Sequence, residues 1–303
     1  TENQYTSTFT YKVKNPKRIT PIINNENKKI PTFNICSMAL RYIHDIESGE
    51  DHILMISAKI RDQCDIENYK SSKRKVTFLN SDHDVSTSID DVITCNNETQ
   101  LLELFFETIQ ESEIDLLCSY NLTDEIRMIK NRMTALNIDD KCKIGRMYFI
   151  PATETTPVHH PRGGRLLCDL RSMCNEFIKS VSSSFNYIVA QEFDNFYRQP
   201  LEQVDIVTEI KKIPKLINLI RYNIRDTSFI DALIKKMNLL PLTLQLSELS
   251  GCQWSKILRG YSKGGGTSSR CESLFVYTFS ELGFIIPEKY NSGSSSTLQP
   301  TEN

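Results

Sequence analysis

The chain has 303 residues, which is enough for one large domain or two of ordinary size. Its 36 basic and 38 acidic residues leave a net charge of −2, which argues against a generic, charge-driven nucleic-acid binder but allows a local basic patch. We expect neither a membrane span nor a signal peptide, because no apolar run has the required length or setting. The nine cysteines are scattered without a Cys-x-x-C pair, which predicts reduced thiols rather than a zinc site or a disulfide framework.

The first part of the chain is predicted to be a connector followed by strands. Residues 1–30 are polar and interrupted by proline, which is typical of the end of a preceding domain and its connector. Buried-strand patterns follow at Phe33–Arg41, Ile53–Ile60 and Lys75–Leu79. A short polar turn separates the first two, so they predict an antiparallel hairpin.

Helices and strands then alternate. A helix is predicted at Glu98–Gln110 and a short strand at Ile114–Tyr120. A second helix is predicted at Asp124–Leu136, with Thr123 as its N-cap and acidic residues in its first turn. This order predicts an α/β domain in which helices flank a mixed central sheet.

A long helix is predicted at Lys215–Met237, where apolar residues recur at helical spacing. Pro241 predicts an interruption after it. A second helical run, Leu242–Leu249, ends at Gly251, a residue that favours the left-handed conformation of a helix stop.

Tyr222 and Asp226 are four positions apart on the long helix and therefore project from one face. Together with the later segment Asn238-Leu-Leu-Pro-Leu-Thr-Leu-Gln245, this pair resembles the third exonuclease motif of the family B DNA polymerases. The resemblance implies a ribonuclease H-like 3′–5′ exonuclease fold, in which the aspartate supplies a metal ligand and the tyrosine orients a water molecule.

Other segments resemble the same family in the same order. They are Gly164-Arg-Leu-Leu-Cys-Asp169, Ser184-Phe-Asn-Tyr-Ile-Val189, Arg270-Cys-Glu-Ser-Leu-Phe-Val-Tyr-Thr-Phe279 and Phe284-Ile-Ile-Pro-Glu-Lys289. A further segment, Lys143-Ile-Gly-Arg-Met147, favours the alpha class of the family.

The resemblance also divides the chain into regions. Residues 1–30 are the end of an N-terminal domain and its connector, and residues 31–250 are an exonuclease-like domain. Residues 251–289 are a helical lead-in to the polymerase palm, and we expect the Ser-, Asn- and Thr-rich tail at 290–303 to be disordered.

The first exonuclease motif departs from the active pattern. Proofreading members carry Asp-x-Glu on the first strand, and these two positions hold Ala39 and Arg41 here. A literal Asp45-Ile-Glu47 follows, but it falls in the predicted hairpin loop, where solvated acidic residues are common.

The second exonuclease motif is shortened. Asn121 matches the family pattern, and either Asp124 or Glu125 takes the place of the carboxylate. Capping of the helix by Thr123 explains the same acidic residues without any metal.

Exonucleolytic cleavage in this family uses two metal ions held by several carboxylates. With Ala39 and Arg41 in place of the first acidic pair, we expect no metal site in this chain and no working catalytic residues, only the vestigial positions Ala39, Arg41, Asp124, Tyr222 and Asp226. The sequence therefore predicts a proofreading fold without proofreading.

The resemblance implies that the whole protein is a replicative DNA polymerase of the nucleus. It would be a nucleotide-binding, Mg²⁺-dependent nucleotidyltransferase that extends RNA–DNA primers beside primase and an accessory polymerase subunit. The polymerase carboxylates of the family are absent from this chain, so its expected roles are to support the palm and to contact template and primer DNA.

Several basic residues are predicted to neutralise DNA phosphates. They are Lys73, Arg74, Lys75, Arg162, Arg165 and Arg259. The alternative function is an active metal-dependent 3′–5′ proofreading exonuclease that uses Asp45, Glu47, Asp124 and Asp226. The two functions differ in whether acidic side chains lie on the first strand.

Overall fold

A computed structural model describes residues 15, 30–44, 49–81, 83, 89, 91–138, 144–145, 164–194, 213–260 and 265–285. The strands are β1 (Phe33–His44), β2 (Asp51–Asp65), β3 (Lys70–Asn80), β4 (Val92–Cys95), β5 (Leu116–Ser119) and β6 (Leu166–Asp169). The helices are α1 (Glu98–Glu111), α2 (Leu122–Ala135), α3 (Leu170–Phe177), α4 (Phe185–Glu192), α5 (Ile213–Lys236), α6 (Leu239–Ser250), α7 (Trp254–Ile257) and α8 (Thr267–Glu281).

The strands form one mixed sheet in the order β4-β3-β2-β1-β5-β6. Strands β1, β2 and β3 pair antiparallel, whereas β5 pairs parallel with both β1 and β6. The predicted hairpin is present, with His44 opposite Asp51 at its end. Asp45 and Glu47, in the connection between these two residues, lie outside the described residues.

Both faces of the sheet are covered by helices, which explains the nearly continuous apolar runs in β1 and β2. On one face, Met38 and Phe78 pack in a core with Phe105 of α1 and Ile129 of α2. On the other face, α5 packs on β1 and β2. The mixed sheet flanked by helices agrees with the predicted fold class.

The register between β1 and β2 shifts after Arg41. Arg41 lies opposite Met55, but the next residue, Tyr42, lies opposite Ile53, so Leu54 is an extra residue on β2. A bulge of this kind bends a strand and changes the direction of its side chains. Leu54 and Met55 consequently pack in the same apolar cluster, beside α5.

The predicted start of α2 is wrong by two residues. The helix begins at Leu122 and its N-cap is Asn121, which makes no side-chain capping bond. Thr123 lies inside the first turn, where its backbone N–H donates to Oδ2 of Asp169 at 3.0 Å. The cap of α2 is thus supplied by Asp169 at the end of β6, and such a long-range contact is not visible in local sequence patterns.

The break between the two long helices was also predicted too late. It occurs at Asn238, which has a left-handed φ of 48°. Pro241 lies in the first turn of α6, where a missing N–H costs no helix hydrogen bond. Gly251 ends α6 in the left-handed conformation, with φ of 65°, as predicted.

Helix α8 presents large apolar side chains to solvent. No residue of α8 is buried against the described part of the chain. Phe275 and Tyr277 are each 59% exposed, and Phe284, just after the helix, is 63% exposed. At its other end, α8 is anchored by Arg270, whose Nη2 lies 2.5 Å from Oε1 of Glu176.

No described helix is both long and apolar enough to cross a membrane. The eight described cysteines are free, and Cys142 lies outside the described residues. Most of residues 1–30 and all of the predicted tail at 290–303 also lie outside them.

Candidate functional site

A cleft of about 430 Å³ opens where the end of β1 meets α2, α4 and α5. Residues that line it include Ala39, Arg41, Tyr120, Glu125, Phe185 and Asp226. The fold therefore brings the first-strand positions, one acidic residue of α2 and the aspartate of the long helix into one site.

Asn223 fixes α5 against the sheet beside this cleft. Its Nδ2 donates to the backbone oxygen of Ala39 at 3.0 Å and to Oγ of Ser57 at 2.8 Å. Both bonds are buried, so they hold the helix at a defined height over β1 and β2. Asp226, almost one turn further along α5, is thereby placed over the end of β1.

Arg41 forms an ion pair with Asp226 across the cleft. The guanidinium Nη2 contacts Oδ2 of the aspartate, and the two side chains are 19% and 5% exposed. The predicted first-motif position thus carries a cation bound to the aspartate of the predicted third motif. Tyr222, on the same helix, is not among the described residues that line the cleft.

Glu125, rather than its neighbour Asp124, brings a buried carboxylate into the cleft. Burial raises the pKa of Glu125 to about 7, although the Ser119 hydroxyl and the charge of Arg41 act in the opposite direction. Oε2 of Glu125 has no hydrogen-bond partner within the described parts of the chain. Asp124 lies at the rim with a 60% exposed side chain and pairs with Arg127, one helix turn away.

A second buried charge cluster joins α5 to β2 outside the cleft. Asp231 accepts hydrogen bonds from Nη2 of Arg61 at 2.8 Å and from the Tyr69 hydroxyl at 3.1 Å. Nζ of Lys59 lies 2.6 Å from the same carboxylate. Although burial raises the pKa of Asp231, Arg61 and Lys59 hold it below its ordinary value. The cluster was not predicted, although an aspartate between the apolar residues of a helix face was a usable signal.

The exposed basic residues of β3 divide between the two faces of the sheet. Lys73 and Lys75 alternate with Arg74 and lie opposite Arg61 and Lys59 of β2, on the face that carries α5. Arg74 faces the other side, where it donates to Oγ of Ser112. Lys73 and Lys75 therefore form a basic pair at the edge of the α5 face.

The remaining predicted DNA contacts lie in different surroundings. Arg165 is buried, and its Nε donates to the backbone oxygen of Ile114 at 2.7 Å, so its guanidinium faces the protein interior. Arg259 is half-buried, with Nε 3.1 Å from the backbone oxygen of Ser255. Arg162 lies outside the described residues.

Comparison with known proteins agrees with this geometry. The profile described as DNA polymerase family B, exonuclease domain, matches residues 1–188. The chain belongs to this family. The predicted resemblance to family B polymerases is thus confirmed.

Several relatives are DNA polymerase alpha catalytic subunits. The one from Dictyostelium discoideum is 24% identical over 293 residues, which cover 91% of this chain and 19% of the relative. The one from Drosophila melanogaster is 25% identical over 197 residues, covering 64% of this chain and 13% of the relative. The one from Oryza sativa subsp. japonica is 30% identical over 127 residues, covering 42% and 8%. The chain therefore spans a fifth or less of the length of these relatives.

The residues of the cleft do not fit the divalent metal ions that exonucleolytic chemistry in this family requires. Mg²⁺ takes oxygen ligands in near-octahedral geometry, and Ala39 offers no side-chain oxygen. Arg41 places a positive charge against the carboxylate of Asp226. Within the described ranges, no group of three or more His, Cys, Asp or Glu residues is arranged to hold a metal ion.

Proposed function

We propose that this chain is the exonuclease-like region of an alpha-class replicative DNA polymerase and that it does not remove nucleotides from DNA 3′ ends. The observation that carries the proposal is the ion pair between Arg41 and Asp226. It combines the first-motif and third-motif positions into a charge-neutral contact. A metal ion entering the cleft would have to displace this guanidinium.

The chemistry of two-metal cleavage supports inactivity. One ion generates the attacking hydroxide and the other stabilises the leaving oxygen, and both need shared carboxylate ligands. Ala39 supplies none, and the charge of Arg41 repels a cation at the same place. The rival function, an active proofreading exonuclease, would need Asp124, which is largely exposed and paired with Arg127. It would also need Asp45 and Glu47, which lie outside the described residues.

The part played by the chain would be to support the polymerase body. We propose that residues 31–250 form the exonuclease-like domain and that residues 251–289 lead into the palm. The exposed aromatic side chains of α8 support this division, since Phe275, Tyr277 and Phe284 form the kind of apolar surface that a neighbouring domain covers. The greater length of the relatives supplies a candidate for that neighbour.

We propose that the chain also contacts template and primer DNA. Lys73 and Lys75 are the best supported of the candidate phosphate contacts, because both are exposed on one face of β3. Arg74, Arg162 and Arg259 remain predictions. Arg165 is the least supported, because its guanidinium donates a hydrogen bond to a backbone oxygen inside the protein.

The activity of the whole protein is proposed from its relatives. It would be a Mg²⁺-dependent DNA polymerase that extends RNA–DNA primers in the nucleus, together with primase and an accessory polymerase subunit. The family membership of the chain and the names of its relatives support the polymerase activity.

The test is a nuclease assay on a single-stranded oligonucleotide with a labelled 5′ end, in Mg²⁺ and in Mn²⁺. We expect no shortening of the 3′ end by the unchanged chain or by the Asp226→Ala variant, with an active proofreading polymerase as the positive control. Cleavage by the unchanged chain that the variant abolishes would contradict the proposal and favour the proofreading exonuclease.

A further inference from the structure

Arg41 is the only lysine or arginine among the described residues that line the cleft, and it faces acids from two helices. Asp226 of α5 forms an ion pair with it. Glu125 of α2 lies within reach of its charge, which acts to favour the ionised form of that carboxyl group. One side chain of β1 thus interacts with carboxylates from two elements that are far apart in the sequence.

A buried carboxylate requires a counter-charge. Asp226 is 4% exposed, and removing such a group from water without a partner is strongly unfavourable. In a two-metal exonuclease, divalent cations supply that charge. Here the guanidinium supplies it, because Arg41 lies two residues after Ala39 on β1, so its side chain projects from the same face of the sheet and contacts Asp226 of α5.

We propose that Arg41 is the built-in counter-cation of this cleft. Its guanidinium takes the place of a divalent cation on Asp226, in the cleft that Glu125 also lines, and it ties β1 to α5. Removal of the guanidinium would convert the cleft into a site for a hard divalent cation. This inference goes beyond the proposed function, because it concerns what holds the cleft together whether or not a polymerase is attached.

Two consequences follow from an Arg41→Gln substitution. The variant keeps a polar side chain but removes the guanidinium from the buried carboxylate of Asp226, so we expect it to be less stable than the unchanged chain. Carboxylate oxygens bind Mn²⁺ and Ca²⁺ well, so either ion should restore part of the lost stability. Since Ala39 adds no ligand, we expect binding in the millimolar range.

The experiment measures thermal unfolding of the full chain with and without millimolar MnCl₂. For Arg41→Gln we expect the melting temperature to fall on the order of 10 °C and Mn²⁺ to recover several degrees. The unchanged chain should not respond to Mn²⁺. The matched control is Arg61→Gln, which also removes an arginine from an aspartate of α5 but leaves Lys59 on Asp231. We expect it to be destabilised without any recovery.

A double variant makes the test decisive. Arg41→Gln combined with Asp226→Asn removes the charge as well as its partner, so it should unfold at a higher temperature than Arg41→Gln and should lose most of the response to Mn²⁺. If Arg41→Gln fails to fold, folding of the double variant supports the proposal and its failure to fold contradicts it.

Either of two results with a folded Arg41→Gln variant would overturn the proposal. One is a melting temperature equal to that of the unchanged chain, and the other is a response to Mn²⁺ no larger than that of Arg61→Gln. Both are independent of the nuclease assay on the unchanged chain, so a failure of this inference is distinguishable from a failure of the proposed function.

Discussion

Two adjacent acidic residues of α2 have opposite environments, although the sequence gives them equal standing. Asp124 is at the exposed rim of the cleft, whereas the carboxyl group of Glu125 is buried inside it. Consecutive residues on a helix point about 100° apart. A shift of one position in the alignment of α2 therefore decides which of the two side chains is expected inside the cleft. The shortened second motif left that alignment undetermined.

The buried carboxyl group of Glu125 predicts a pH-dependent stability. Its pKa of about 7 in the folded protein lies above the ordinary value of 4.5, so the folded state holds the proton more tightly than the unfolded chain. The associated stability is fully present below the ordinary pKa and is lost as the pH rises through the folded value. The shift corresponds to about 3 kcal/mol when the group is fully ionised.

A Glu125→Gln variant tests this prediction because it removes the titration. Relative to the unchanged chain, we expect the variant to gain stability as the pH is raised from about 4 to about 8. Urea denaturation at several pH values measures the difference in the free energy of unfolding. A difference that does not change with pH would show that Glu125 ionises in the folded protein as it does in water.

Among the structural elements, one carboxylate organises the starts of two helices. Asp169, at the end of β6, accepts from the backbone N–H of Ser172 at 3.2 Å in α3 and from that of Thr123 at 3.0 Å in α2. It is the N-cap of α3 and a remote cap of α2. The segment 164–169, which resembles a family motif, therefore contains strand β6 and also fixes the starts of α2 and α3.

We predict that Asp169→Ala lowers the free energy of unfolding by about 2 kcal/mol, because two helix starts each lose a cap worth about 1 kcal/mol. Asp169→Asn should be intermediate, since its single amide oxygen can accept one of the two bonds. The control is Ser184→Ala at the N-cap of α4, where the side chain makes no capping bond. Denaturant unfolding that gives equal losses for Asp169→Ala and Ser184→Ala would contradict the double-cap role.

The element boundaries show what local patterns predict well. Helix α1 and the strands of the hairpin were predicted because apolar periodicity and burial coincide there. The start of α2 and the break at Asn238 were misplaced, because a cap from β6 and a left-handed residue determine them. Pro241 was a misleading signal, since proline is also tolerated in a first helical turn.

For the whole molecule, the limits of sequence reasoning come from distance along the chain. The family resemblance marked Ala39, Arg41 and Asp226 as one site, and the fold places them in one cleft. The pairing itself joins residues 185 positions apart, and the bond from Arg61 to Asp231 joins residues 170 positions apart. Such partners cannot be chosen from one sequence, because many charged residues compete for each.

The surface of α8 leads to a prediction for the complete chain. Phe275 and Phe284 are well exposed, so replacing both with serine should leave the melting temperature within about 2 °C of the unchanged value. The same change should reduce binding of a dye that fluoresces on apolar surfaces. The control is Phe105→Ala in the buried core, for which we expect a loss of about 3–5 kcal/mol. A large loss of stability in the serine variant would mean that α8 belongs to the core of this chain.

The charges beneath α5 also have a consequence for how the chain folds as it is synthesised. Arg41, Lys59 and Arg61 lie on strands that leave the ribosome long before Asp226 and Asp231, their partners in α5. During that interval, the uncovered face of the hairpin carries these three cations among its apolar side chains. Positive charges on an incomplete sheet oppose its association with other nascent chains. We therefore expect these side chains to oppose aggregation of the partly folded domain until α5 packs on the sheet and its aspartates neutralise them.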